Sequence, residues 1–314
     1  MSKTSRRFAS IIALLALART TVWAADLAST SPAYDLLNPR SGQFEVNIEN
    51  LSGFIGSGSI VRVREFRIEG TGLHFPALGI NTVQMPDIDL SYWFNQLNAI
   101  NVQFRYFDIS GTHTFSQPIK FNGAVIAGDQ SLNTDPDPEW FALYIYYVRR
   151  LTPLFEQYES TWPEPLQGWD LRGRIGLEYT YINFAINGGH AKVIASSPGE
   201  ETKEDFYHQE IPIPTIGLEA LHSLGENFTF ETSVKGNWIN RWNSLRNEGG
   251  TVWASENGVE AHFRILYSHP WLGRIHPMLG FALYYYSQLE DSREDGNFLR
   301  WFTYGPEYGV KFEF

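Results

Sequence analysis

The sequence predicts an all-β protein, an antiparallel up-and-down β-barrel that crosses a membrane with about twelve strands, ten or eight being the alternatives. Three observations predict it. Apolar and polar residues alternate position by position in one segment after another. Aromatic residues are abundant, with 10 Trp, 16 Tyr and 22 Phe in 314 residues. After residue 24, no apolar run approaches the roughly 20 residues that a membrane helix needs. Only helices and closed barrels cross a bilayer, because every backbone N–H and C=O in hydrocarbon must be paired. Barrel strands carry their apolar residues at alternate positions, so period two is the signal to test.

The chain starts with Lys3, Arg6 and Arg7, continues with an apolar run over residues 8–18, and has small residues around Ala24. This is the three-part layout of a secretory signal, with cleavage expected after Ala24. Removing residues 1–24 takes away four cations (Lys3, Arg6, Arg7 and Arg19) and no acids, so the net charge moves from −11 to about −15 in the exported part. Residues 25–58 read as an N-terminal extension, periplasmic or plug-like, and 59–314 as the barrel.

Within the barrel one strand is expected near 59–70 and a hairpin over 86–95 and 100–111. In that hairpin Ile88, Leu90, Tyr92 and Phe94 oppose Asp89 and Ser91, while Val102, Phe104 and Tyr106 oppose Asn101, Gln103 and Arg105. Two strands are assigned to 112–133, and seven more to 138–150, 169–186, 210–222, 226–240, 252–268, 274–290 and 299–314. The alternation is clearest at the end. Phe302, Tyr304, Pro306, Tyr308, Val310, Phe312 and Phe314 share one face, and Thr303, Gly305, Glu307, Gly309, Lys311 and Glu313 share the other. Short links at 95–99, 222–227 and 268–274 alternate with long polar ones at 187–210, 240–250 and 290–297, as periplasmic turns and outer loops do. The long link 151–168 falls on the turn side and has room for a short helix.

The final octet, Glu307-Tyr308-Gly309-Val310-Lys311-Phe312-Glu313-Phe314, resembles the C-terminal assembly signal of bacterial outer-membrane β-barrel proteins, with Gly309, Phe312 and the terminal Phe314 in the matching places. The resemblance implies an outer-membrane location and a last strand read by the barrel assembly machinery. It implies nothing about activity.

The acidic balance excludes nucleic acid as a partner, since phosphates call for clustered Lys and Arg. With no Cys in the chain, disulfides, thiolate metal sites and thiol nucleophiles are excluded as well. The residues that alternation turns inward carry both signs: Arg172, Arg174, Glu178, Glu219, Glu231, Lys235, Glu256, Glu260, His262, Arg264, Glu307, Lys311 and Glu313. Charges on neighbouring strands can pair across an interior or line a narrow polar pore. The function expected is a porin-like channel for small polar solutes or ions. A non-transporting structural or adhesive barrel and a lipid-modifying enzyme are the alternatives. His222 and Ser223 are adjacent, so their side chains point to opposite faces and make a poor catalytic pair. His262 lies beside Glu260 and Arg264 and reads as a network member. No cofactor or dedicated metal site is expected. The expected partners are membrane lipid and lipopolysaccharide, with divalent cations held weakly by the acidic loops 129–139, 199–205 and 290–297.

Overall fold

The computed structural model describes residues 36–64, 69–121, 124–134, 140–159, 167–182, 184–187, 191–193, 204–206, 211–247, 251–292 and 296–314. All lie within the compact unit Pro32–Phe314. The signal-peptide expectation for 1–24 and the first part of the expected extension fall outside these residues.

Ten antiparallel strands form one closed wall: β1 (Gln43–Ile55), β2 (Thr82–Asn95), β3 (Asn98–Phe107), β4 (Trp140–Arg150), β5 (Trp169–Tyr181), β6 (Ile213–Ser223), β7 (Phe228–Asn247), β8 (Thr251–Tyr267), β9 (Ile275–Asp291) and β10 (Gly296–Glu313). Each pairs with its neighbour in sequence, and β10 returns to β1, from Glu45 opposite Glu313 to Ile55 opposite Thr303. The closed wall therefore has no free edge.

The register fixes the geometry. Stepping around the wall from Gln43 through Trp93, Ala99, Val148, Arg174, Gly217, Lys235, Glu260, Tyr284 and Thr303 leads back to β1 at Ile55. The offset from 43 to 55 is a shear of 12 residues. With a rise of about 3.3 Å per residue and strands about 4.7 Å apart, ten strands at that shear tilt by about 40° and enclose a wall of about 10 Å radius.

The wall corrects three expectations. It has ten strands, not twelve. Gln43–Ile55, expected in an extension, is the first wall strand, and its "FEVNIEN" stretch alternates as cleanly as any other. Ile60–Arg64 and the described residues of 112–133, expected in spanning strands, lie outside the wall. Ile60–Arg64 pairs with the upper part of β10 above the point where β1 ends, and Gly111–Phe115, Ile119–Phe121, Ala124–Ile126 and Gln130–Thr134 are short strands of two small separate sheets. Alternation marks any half-buried strand, so it could not separate wall from cap.

The two ends differ. The links Asn95 to Asn98, Ser223 to Phe228 and Tyr267 to Ile275 are short, and the longer link after β4 carries α1 (Thr152–Glu159). At the other end the segments after β1 and β3 fold back over the mouth. β7 to β10 are 17 to 20 residues long and rise on one side. β1 to β6 have 10 to 14 residues. In β7 the pairing slips between Ile239 and Trp242 and again between Asn243 and Asn247, with Arg241 (φ 53°) and Leu245 (φ 66°) in the left-handed region. Such bulges bend and twist a strand locally.

The main apolar core lies at this loop end. Val61, Val63, Phe75, Leu78 and Ile80 from the segment after β1 pack with Phe107, Trp140 and Trp301 of the wall. Phe107 stacks on Trp140 with centroids 4.5 Å apart, Trp140 meets Trp301 edge-on at 4.8 Å, and Phe75 meets Trp301 edge-on at 4.9 Å. The outer wall shows the opposite of a soluble surface. Ile175, Ile216 and Leu279 are each more than 60% exposed. Exposed rings recur ten residues apart on one strand, Phe228 with Trp238 and Tyr304 with Phe314, a separation of about 25 Å along the barrel axis at this tilt.

Candidate functional site in the barrel lumen

The pleat turns alternate residues inward, and register decides which of them meet. Arg172, Arg174, Glu178, Glu219, Glu231, Lys235, Glu256, Glu260, His262, Arg264, Glu307, Lys311 and Glu313 all stand on the inner face, buried or half-buried. They form three groups along the axis.

Nearest the turn end, Arg172 binds Asp170 at 2.9 Å and Glu219 at 3.1 Å. Arg174 also binds Glu219, and Lys311 lies 3.4 Å from Glu45 and 3.8 Å from Glu231. The mouth below is filled by the chain itself. Leu36 is buried with Leu266 and Met278, and its carbonyl accepts from Arg172 Nη2 at 2.5 Å.

In the middle, Arg264 serves three carboxylates: Nε to Glu307 at 2.8 Å, Nη1 to Glu231 at 2.7 Å and Nη2 to Glu49 at 2.8 Å. His262 joins Glu307 through Nδ1 at 2.7 Å and Glu260 through Nε2. Glu260 also receives a two-pronged bond from Arg105, at 2.7 and 2.6 Å, and Arg105 binds Asp87 at 2.8 Å. Lys235 donates to Gln103 at 2.6 Å and sits 3.2 Å from Glu260, with its ammonium 4.0 Å from the Tyr144 ring centroid. Gly280 makes room for this crowd: a Cβ there would lie 2.5 Å from the Phe263 carbonyl and 2.9 Å from Glu307 Oε1.

Toward the loop end, Glu178 and Glu256 stand apart from these ion pairs. The Asn237 side-chain amide bridges them, at 2.7 Å to Glu178 and 2.8 Å to Glu256. Thr180 donates to Glu178, and Tyr286 donates to Glu256 at 2.9 Å. Neither carboxylate has a cation within ion-pair distance among the described residues.

Three cavities of about 10, 20 and 30 Å³ lie among the middle and lower groups, each with room for a water or two. Buried polar atoms without a protein partner belong to residues lining these cavities, Asn47 Oδ1, Asp87 Oδ1 and Arg174 Nε, as at sites of ordered water. Above the cavities stand the packed rings of Phe107, Trp140, Trp301 and Phe75.

Two further arrangements bear on chemistry. Glu49, His262 and Glu307 offer ligand atoms within 4.8 Å of one another, the spacing of a metal site. Arg264 already bonds to all three, so a guanidinium occupies the place a metal ion would take. Ser268 Oγ lies 2.7 Å from His276 Nδ1, and His276 Nε2 lies 3.7 Å from Glu313. Ser268 and His276 are almost wholly buried, so a substrate would have no approach. His222 and Ser223 do not bond to each other; His222 stacks on Trp169 at 5.0 Å and Ser223 donates to the Gly225 carbonyl.

Several lumen charges escaped the sequence reading as site residues: Glu45, Glu49, Asp87, Asp89, Arg105 and Asp170. Glu45 and Glu49 alternate with Phe44, Val46 and Ile48, a signal present in the sequence but assigned to an extension. The octet's residues have structural places of their own. Gly309 admits no side chain, since a Cβ would lie 2.4 Å from the Ile48 carbonyl. Phe312 is half-buried on the outer face, and the Phe314 backbone N–H donates to Phe44 O at 2.8 Å. Of the acidic loops, 135–139, 199–203 and 293–295 fall outside the described residues, and Asp291 is paired with Arg64 at 2.7 Å.

No family model matches this chain, and no curated protein sequence matches it. Solved structures resemble it at low identity. One is the outer-membrane protease OmpT of Escherichia coli, with a TM-score of 0.49 and 12% identity over 87% of this chain and 97% of that one. Another is the outer-membrane protein OprG of Pseudomonas aeruginosa, with a TM-score of 0.34 and 9% identity over 88% and 98%. A third is the translocator domain of the autotransporter NalP of Neisseria meningitidis, with a TM-score of 0.34 and 11% identity over 90% and 92%. Likeness at this level says nothing about activity.

Proposed function

We propose that this chain is an outer-membrane β-barrel that does not transport, a sealed cylinder anchored by its apolar wall and carrying a folded cap of loops on the cell's outer side. The membrane part of the reading rests on the outer wall. Rings ten residues apart bound an apolar belt of about 25 Å, the height of the band that outer-membrane barrels present to lipid. Both ends of the barrel wall and the short turns share one end, which the same reading assigns to the periplasm. Export by a cleaved signal and recognition of the last octet by the assembly machinery belong to this proposal.

The sealed lumen rests on one observation, the stack of Phe75, Trp301, Trp140 and Phe107 across the mouth. A porin-like channel draws support from the charged, water-sized cavities below, but solutes would have to displace a packed aromatic core. Planar-bilayer recording of the refolded mature chain tests the choice. A sealed barrel gives no unitary steps above background, whereas steady steps that vary with salt would restore the channel.

A further inference from the structure

The outer wall carries a cluster of hydrogen-bonded polar side chains within its apolar belt, on β1 and β2. On β1, Asn50 and Ser52 point outward between the inward residues Glu49, Leu51 and Gly53, and on β2 Gln84 points outward between Val83 and Met85. Asn50 Nδ2 donates to Gln84 Oε1 at 2.7 Å and to the Tyr308 hydroxyl at 3.0 Å, and lies 3.2 Å from Ser52 Oγ. Ser52 Oγ donates to Gln84 Oε1 at 2.8 Å. The remaining capacity faces outward: the Gln84 Nε2 makes no hydrogen bond among the described residues, nor does Asn50 Oδ1, and Tyr308 is half exposed.

Depth gives the cluster its meaning. Asn50 lies four residues below Phe54, which packs on Tyr304 with centroids 6.2 Å apart in the upper row of rings. It lies six residues above Phe44 in the lower row. At the barrel's tilt that places Asn50 about 10 Å below the upper rings, with Ser52 and Gln84 between. Hydrocarbon offers no partner for spare amide N–H and C=O groups. Just below the headgroups, however, an outer-leaflet lipid with amide-linked, hydroxylated acyl chains presents donors and acceptors of its own. A glycerophospholipid at that depth has ester carbonyls but no donors.

We propose that Asn50, Ser52, Gln84 and Tyr308 form a lateral binding site for an outer-leaflet lipid bearing amide and hydroxyl groups on its acyl chains. Phe54 and Tyr304 flank the chain that enters it. The site rests on the membrane reading of the barrel, but not on whether the lumen is sealed.

The test uses the full mature chain and an Asn50→Leu/Gln84→Leu double variant in nanodiscs of glycerophospholipid, with and without purified lipid A. Insertion is checked first by heat-modifiable migration on gels. Failure of the wild type to insert would defeat the barrel reading itself, a result distinct from the ones that follow. The wild type is expected to unfold roughly 5 °C higher with lipid A than without, and the double variant to lose that difference while still inserting. Equal unfolding temperatures for the wild type in both membranes overturn the site. A lipid A effect of undiminished size in the double variant also overturns it, since the lipid would then be held elsewhere. A Gln84→Cys variant supplies the remaining arm: disulfide-linked dimers in lipid A-containing membranes would show that a second copy covers the cluster, and would overturn the lipid assignment.

Discussion

The two halves of the barrel interior are filled by opposite chemistry. Toward the loop end, rings pack on rings. Phe75, Phe107, Trp140 and Trp301 form a core like that of a soluble domain, and the segment after β1 supplies much of it. Toward the turn end, the same pleat delivers Arg172, Arg264, Glu219, Glu307 and their partners into a lattice of ion pairs with water-sized gaps. The difference shows two ways of closing a ten-strand cylinder. In a wall of about 10 Å radius, long inward side chains from opposite strands meet. Long arginines and glutamates can fill it only if their charges cancel, whereas aromatic rings fill it without that condition but need a lid to keep water off. The ion-pair half is built mostly from the wall, with Leu36, Asn38 and Thr152 joining it at the turn end, while the aromatic half depends on loops.

The contrast can be tested by cutting into each half. The largest loss is expected for Trp301→Ala, which empties the centre of the cap and should reduce stability by about 3–5 kcal/mol, measured by denaturant unfolding of the refolded barrel. If the cap only decorates an independently closed wall, the loss will stay well under 2 kcal/mol. Arg264→Met should follow at about 3–4 kcal/mol, because Glu49, Glu231 and Glu307 lose their common cation in a poorly hydrated space. Adding Glu307→Gln to Arg264→Met should recover about 1–2 kcal/mol of that loss in a double-mutant cycle; an additive result would mean the lattice is hydrated enough to tolerate unpaired charge.

Smaller effects sharpen the boundary between the halves. Gly309→Ala should reduce stability by about 1–3 kcal/mol, since the new methyl must displace the Ile48 carbonyl. Glu256→Gln should leave stability unchanged or raise it by up to about 1 kcal/mol, because this carboxylate is buried without a cation and the amide keeps its shape. A clear loss would mean that the Glu178–Asn237–Glu256 bridge depends on charge. Asp291→Asn, which breaks the exposed pair with Arg64, should shift stability by less than about 0.5 kcal/mol.

The sequence was legible wherever a strand has lipid or solvent on one side and the lumen on the other. Lys235 opposite Glu260 and Glu231 opposite Arg264 could be assigned to the inner face from spacing alone, and the seven C-terminal strands were bounded to within a few residues apart from the upper reach of β7. The first strand was misread although Phe44, Glu45, Val46, Asn47, Ile48 and Glu49 alternate, because alternation does not say that a strand pairs with β10 at the far end of the chain as well as with β2. Residues 60–64 alternate too, yet they pair with β10 beyond the end of β1; the two strands expected in 112–133 came from an even strand count, and the described residues there form short strands outside the wall. Nor could spacing reveal that Ser268, and not Ser223, meets a histidine, since the turn between β8 and β9 brings His276 back to it.

By itself, then, the sequence determined the face on which each side chain stands, because a strand's period of two is a local property of its backbone. It determined as well the charged inner face of the lower barrel and the apolar outer face of the wall. Only the tertiary structure decided that ten strands close with a shear of twelve, that Arg264 serves three acids from three different strands, and that Phe75 from the segment after β1 packs on rings of the wall. Those outcomes depend on which distant segments pair and in what register, and that is settled by the closure of the whole sheet.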